Sequence, residues 1–273
     1  NYSIKSLVGG RKMKRFISLF MTVIMIFSVV ISTDMLSVSA TDNSNIKWSF
    51  DSKTGTLTIS GTGKMDNYND YDIKTPWYKY SDNISRVTIN KGITSIGNFA
   101  FGDCENLISI VIPDSVTTIG ESAFEWCTSL KSINIPNSVT LIDDSAFDCC
   151  ENLKNIILPN NLHSISKDTF CSCQSLESIT IPNSVTSIYD SAFGGCENLK
   201  NITLSNNLKE IYDHVFSDCN SLKYINIPDS VTFIGQSVFE GCNSLSSITI
   251  PKSVFYIDNN PFNKCDNLIS IEV

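Results

Sequence analysis

The chain has 273 residues, 42% of them hydrophobic, with 20 Lys+Arg against 28 Asp+Glu for a net charge of −8. An acidic surface repels phosphate backbones and anionic membranes, which excludes nucleic acid as a partner.

The first forty residues differ from the rest. Arg11, Lys12, Lys14 and Arg15 precede an apolar run from Phe16 to Ile31, and small residues follow up to Ser39-Ala40. Residues 13–40 therefore read as a secretory signal peptide starting at Met13, and residues 1–12 as upstream read-through. A retained membrane anchor is the rival reading, although the run is shorter than the ~20 residues of a span. Removing the leader leaves 15 Lys+Arg against 27 Asp+Glu, a net charge of −12. No second long apolar run follows, so the mature chain is expected to have no transmembrane span and to be secreted or associated with the cell surface.

Residues 41–89 read as an N-terminal β cap. Ile46, Trp48 and Phe50 alternate, Asp51 to Gly55 form a turn cluster, and Leu57 and Ile59 alternate again, which predicts a β-hairpin over 46–60. The segment Asp66 to Tyr80 is rich in aromatics (Tyr68, Tyr71, Trp77, Tyr78). Two readings stand for it: rings packed on the first repeat, or a platform for stacking carbohydrate.

Residues 90–273 are a repeat array. Phe101, Phe124, Phe147, Phe170, Phe193, Phe216, Phe239 and Phe262 follow one another at 23 residues; a cysteine stands three residues after each and a leucine three after that. In one unit Ile133 and Ile135 alternate with Ser132 and Asn134 as a short strand does, Pro136 ends the strand, and Val139 and Ile142 lead to the next Phe. Such a unit cannot bury its own apolar residues, but stacked units can. The fold class expected is an α/β repeat: a parallel solenoid of eight coils, each with one strand and an irregular or helical arm, ~40 Å long at ~4.8 Å per coil.

The pattern Ala-Phe-x-x-Cys-x-x-Leu-x-x-Ile-x-Ile-Pro-x-Ser-Val-Thr-x-Ile-Gly, nearly intact from Ala123 to Asp143, resembles the BspA-type leucine-rich repeats of bacterial surface proteins. The resemblance implies a secreted or surface protein that binds host proteins, other cells or matrix, and it implies no enzyme activity. Departures such as Leu162, Tyr189 and Thr169 read as packing variations.

Eight of the ten cysteines occupy equivalent places in successive coils. Their Cβ vectors run parallel at about 4.8 Å, beyond the ~3.5–4.5 Å of a disulfide, so they read as buried free thiols. Cys149 and Cys171 stand outside that row on adjacent coils and read as a disulfide or reactive pair, or as plain exposed thiols. His163 and His214 share no site. No metal spacing, phosphate loop or nucleophile motif is present, so neither enzyme chemistry nor a cofactor is expected. Calcium between adjacent arms is a minor alternative.

The exposed strand rows are mostly Ser, Asn and Thr. The turn after the strand carries aromatics toward the end of the array: Phe233, Phe255 and Tyr256, with Tyr189 and Tyr212 stacking nearby and Tyr224 on the strand row. These six are the candidate binding residues for an extracellular protein or glycan ligand. The array breaks off inside its eighth coil, where either an end-to-end homodimer or further chain would cover it. The functional expectation is an adhesin or ligand-recognition module; a spacer rod without its own ligand and, last, a glycan-processing enzyme are the alternatives.

Overall fold

The computed structural model describes residues 35–39, 45–69 and 74–273. The leader and read-through fall outside these except for the strand Met35–Ser39, and Tyr71 falls outside too. Among the described residues no helix is long and apolar enough to cross a membrane.

The array is a parallel solenoid. Strands Ser109–Val111, Ser132–Asn134, Asn155–Ile157, Ser178–Thr180, Asn201–Thr203 and Ser247–Thr249 each place the middle isoleucine inward and its neighbours outward, as the pleat requires. Pairing follows the repeat, Ile156 opposite Ile133 and Ile202 opposite Ile179. The first ladder is not continuous: Asn155–Ile157 pairs backward with Ser132–Asn134, and Ser178–Thr180 pairs forward with Asn201–Thr203. In the coil of Phe216, residues 224–226 form no strand.

One expectation needs correction, because each coil has a second strand where a turn was expected. Thr118–Ile119, Leu141–Ile142, Ser164–Ile165, Ser187–Ile188, Glu210–Ile211, Phe233–Ile234 and Tyr256–Ile257 form parallel ladders of their own. Two residues are too few to show a period in the sequence.

Of the two forms left open for the arms, the irregular one is found, and among the described residues the single helical element is a 3₁₀ turn at Tyr78–Asn83. The residues two before and two after each Phe take left-handed φ angles, for example Ser145 at 54° and Cys149 at 56° around Phe147. This turns successive amides the same way. The Ser145, Phe147 and Cys149 amides donate to the Lys167, Thr169 and Cys171 carbonyls at 2.8, 2.9 and 2.9 Å, so the arms are also stitched coil to coil and these amides find the acceptors that burial requires.

The core is a column of stacked phenylalanines. Successive ring centroids from Phe101 to Phe262 lie 5.2–5.8 Å apart with planes 6–18° from parallel, and the first seven rings have no exposed surface. Beside them the ladder thiols are free and inward, as Cys127, Cys150, Cys196 and Cys219 show. Each donates to the Phe carbonyl of the preceding coil, Cys150 Sγ to Phe124 at 3.2 Å and Cys196 Sγ to Phe170 at 3.2 Å. Alanine or valine would fill the space but leave that oxygen's second lone pair unmet. The consensus departure Thr169 is also satisfied, its hydroxyl donating to the Ser166 carbonyl at 2.7 Å.

At the start of the array Ile46–Asp51 and Thr56–Gly61 pair antiparallel, and the second of them pairs parallel with Arg86–Ile89. Trp77 stacks on Phe101 at 5.9 Å and meets Trp48 edge to face at 6.2 Å. Trp77, 2% exposed, is therefore packed on the first coil and is not free to stack on sugar, whereas Tyr78 is 45% exposed.

Candidate functional site

The second ladder carries the candidate site. Its outward residue is Thr118, Leu141 and Ser164 in the early coils and becomes aromatic in the late ones, where Phe233 and Tyr256 pair directly in the parallel register. Three residues after Val185 and Leu208 the chain reaches Ile188 and Ile211, and the next residues, Tyr189 and Tyr212, leave the strands on the same side.

These four rings form one stripe. Tyr189 and Tyr212 stack at 4.9 Å, Tyr212 and Phe233 meet tilted at 5.5 Å, and Phe233 and Tyr256 stack at 5.4 Å with planes 5° apart. The stripe shifts by two residues between Tyr212 and Phe233 because the register mate of Tyr212 is Gly235. A Cβ there would meet Tyr212 carbonyl carbon at 2.7 Å and Asp213 Oδ1 at 2.4 Å, so Phe233 supplies the next ring. Tyr189 and Tyr256 are 41% and 49% exposed.

The structure does not bring all six candidates together. Phe255 stands beside the stripe, 82% exposed, in a row where Thr117, Thr140, Thr186 and Thr232 donate their hydroxyls to the preceding coil's carbonyl. A phenylalanine cannot make that bond. Tyr224 belongs to the first ladder, in the coil where that strand is not formed. Sequence reasoning missed Glu210 and Ser187. Glu210 Oε2 accepts from Ser187 Oγ at 2.9 Å and from Tyr212 Oη at 3.1 Å, and the Tyr212 phenol is pushed up by desolvation first and by Glu210 second. The signal was available, since Ser187 and Glu210 precede Phe233 in one row.

A concavity of about 460 Å³ opens on the first ladder between the coils of Phe147 and Phe170. Asn155, Ile157, Asn160, Ser178, Thr180 and Pro182 line it, and it lies where the two strands belong to different pairs. His163 is exposed, and His214 sits in an arm at φ 56°. Cys149 and Cys171 are half-buried free thiols. Among the described residues no group of three His, Cys, Asp or Glu side chains is arranged to hold a metal ion.

The profile of the BspA type leucine rich repeat region matches six copies, over residues 72–199 and 163–273. Among solved structures, a leucine-rich repeat protein of T. pallidum is 24% identical with a TM-score of 0.52, covering 67% of this chain and 91% of that one. A leucine-rich repeat protein from Bacteroides ovatus is 23% identical with a TM-score of 0.46, covering 85% and 88%. A leucine rich cell surface protein from Faecalibacterium prausnitzii is 22% identical with a TM-score of 0.45, covering 86% and 94%. A comparison with curated proteins gave no match.

Proposed function

The chain belongs to the BspA-type leucine-rich-repeat family, and from that premise we propose that it is a secreted or cell-surface binding protein whose ligand is another extracellular protein. The observation that carries this reading is the outward stripe Tyr189, Tyr212, Phe233 and Tyr256. A rod that only spaced other parts would be served by residues such as Thr118 and Ser164, which stand in the row of Phe233 and Tyr256. Aromatic side chains, by contrast, dominate binding energies where proteins meet.

The ring arrangement favours protein over glycan. Sugars stack on free ring faces, but at two of the three junctions these rings cover each other face to face. What the stripe presents is ring edges, which carry the positive part of the quadrupole, together with phenol groups and the Glu210 carboxylate. Such a strip suits backbone carbonyls, hydroxyls and apolar side chains of a protein surface. The leader read over residues 13–40 and the acidic charge support export and solubility outside the cell.

The test is binding of the purified chain to an immobilised panel of matrix proteins and glycans, compared with a Tyr189→Ser/Phe233→Ser/Tyr256→Ser variant whose urea midpoint is checked separately. Loss of protein binding by well over tenfold is expected, at about 2 kcal/mol or more for each dominant ring. Equal binding by variant and parent would move the site to the Ser, Asn and Thr rows of the first ladder. No binding by either would favour the spacer.

A further inference from the structure

Cys149 and Cys171 stand apart from the ladder thiols in position and in partners. Seven of the eight ladder thiols are buried, and those from Cys127 onward donate to a phenylalanine carbonyl, whereas Cys149 and Cys171 are half-buried on the arms of adjacent coils and make no such bond. Their main chains touch, the Cys149 amide donating to the Cys171 carbonyl at 2.9 Å, which places the two residues one inter-coil step apart. They stand one residue off the repeat register, and Cys149 has a left-handed φ of 56°, so the argument from parallel Cβ vectors that forbids bridging along the ladder does not apply to them.

Their side chains converge. Cys149 Sγ donates to Asp148 Oδ1 at 3.3 Å, and the charge of the same carboxylate also pushes the Cys171 thiol up, after burial. Ser172 completes the group, with Cys171 Sγ 3.7 Å from its Oγ and its hydroxyl acting to lower the Cys149 thiol against the larger effects of burial and Asp148. One carboxylate and one hydroxyl thus gather two thiols from two coils. The junction they straddle is the one where the first ladder is unpaired and the groove opens.

We propose that Cys149 and Cys171 are a modification site, a dithiol that low-molecular-weight disulfides oxidise to a covalent clip between the coils of Phe147 and Phe170. One cysteine sulfur attacks the reagent's S–S bond and releases one reagent thiol. The second then attacks the mixed disulfide, forming the Cys149–Cys171 bond and releasing the other reagent thiol. Two electrons pass to the reagent, and the two thiol protons leave on its two halves.

The experiment treats the full chain, under native conditions and free of reductant, with dithiodipyridine, followed by mass spectrometry and a non-reducing peptide map. Apart from half-buried Cys265, two pyridinethiones released per chain are expected, with a protein two hydrogens lighter and one cross-linked peptide pair containing Cys149 and Cys171. Cys149→Ser should release one equivalent and retain one pyridylthio group on Cys171. Two pyridylthio groups retained on the parent, a cross-link involving the ladder cysteines, or no release at all would each overturn the proposal. None of these outcomes depends on the ligand-binding stripe.

Discussion

The indole N–H of Trp77 donates to the Ala100 carbonyl at 2.9 Å while its ring lies on Phe101. In every arm the carbonyls before Phe point toward the preceding coil and accept its amides, as Ala123 accepts from Phe101. The first coil has no such predecessor, and Trp77 supplies both the missing ring and the missing donor. Trp77→Ala should therefore cost about 3–5 kcal/mol, and Trp77→Phe, which keeps a ring but leaves the carbonyl unmet, about 1–3 kcal/mol. Urea midpoints of the two variants would show it; equal stability of Trp77→Phe and the parent would deny the hydrogen bond a role.

Leu176 lies in a central coil with no exposed surface. Leu176→Ala should cost about 2–5 kcal/mol because coils on both sides hold the void open. Lys200→Ser removes only an exposed pair with Glu177 at 3.1 Å and should cost no more than about 1 kcal/mol. A denaturant titration in which the two variants unfold together would contradict the inward placement of the leucine row.

Much of this was legible in the residues. Period 23 set the coils, and alternation in Ser132, Ile133 and Asn134 set the first strand, because burial on one face imposes period 2. The second strand escaped notice, being two residues long. The arm geometry escaped for a different reason: Ser122 and Ser145 take left-handed φ angles that favour Gly, Asn or Asp, so composition does not announce them. The aromatic stripe was half legible. Tyr189 and Tyr212 share a row and so do Phe233 and Tyr256, but the junction between the rows depends on Gly235 and the close backbone there.

Native alkylation should separate the thiols into two classes. Cys149 and Cys171 should react first but slowly at neutral pH, since burial, and Asp148 second, push them up to about 12 and about 11; the thiolate is the nucleophile. Asp148→Asn should speed both severalfold. The buried ladder cysteines, such as Cys127, should react only after denaturation, while half-buried Cys265 falls with the exposed class. Peptide mapping after timed iodoacetamide exposure would reveal the order, and early labelling of Cys127 or Cys196 would contradict their burial.

The ladder thiols also predict how stability depends on pH. Burial pushes Cys104 up to about 12 and Cys127, Cys173 and Cys219 well above their ordinary value near 9. A group whose folded pKa is raised stabilises the fold fully below its unfolded pKa and loses that contribution as pH rises toward the folded one. Above pH 9 the unfolded chain releases thiol protons that the folded chain keeps, so each fully buried thiol removes about 1.4 kcal/mol per pH unit. The urea midpoint should stay flat from pH 7 to 8 and fall steeply between about 9 and 11. Cys196→Val should lower stability at neutral pH by about 1–3 kcal/mol, because the Phe170 carbonyl loses its thiol donor, and it should also make the alkaline fall shallower by one proton. A variant with the parent's slope would mean that Cys196 ionises as readily in the folded coil as in the unfolded chain, contrary to its burial beside Phe170.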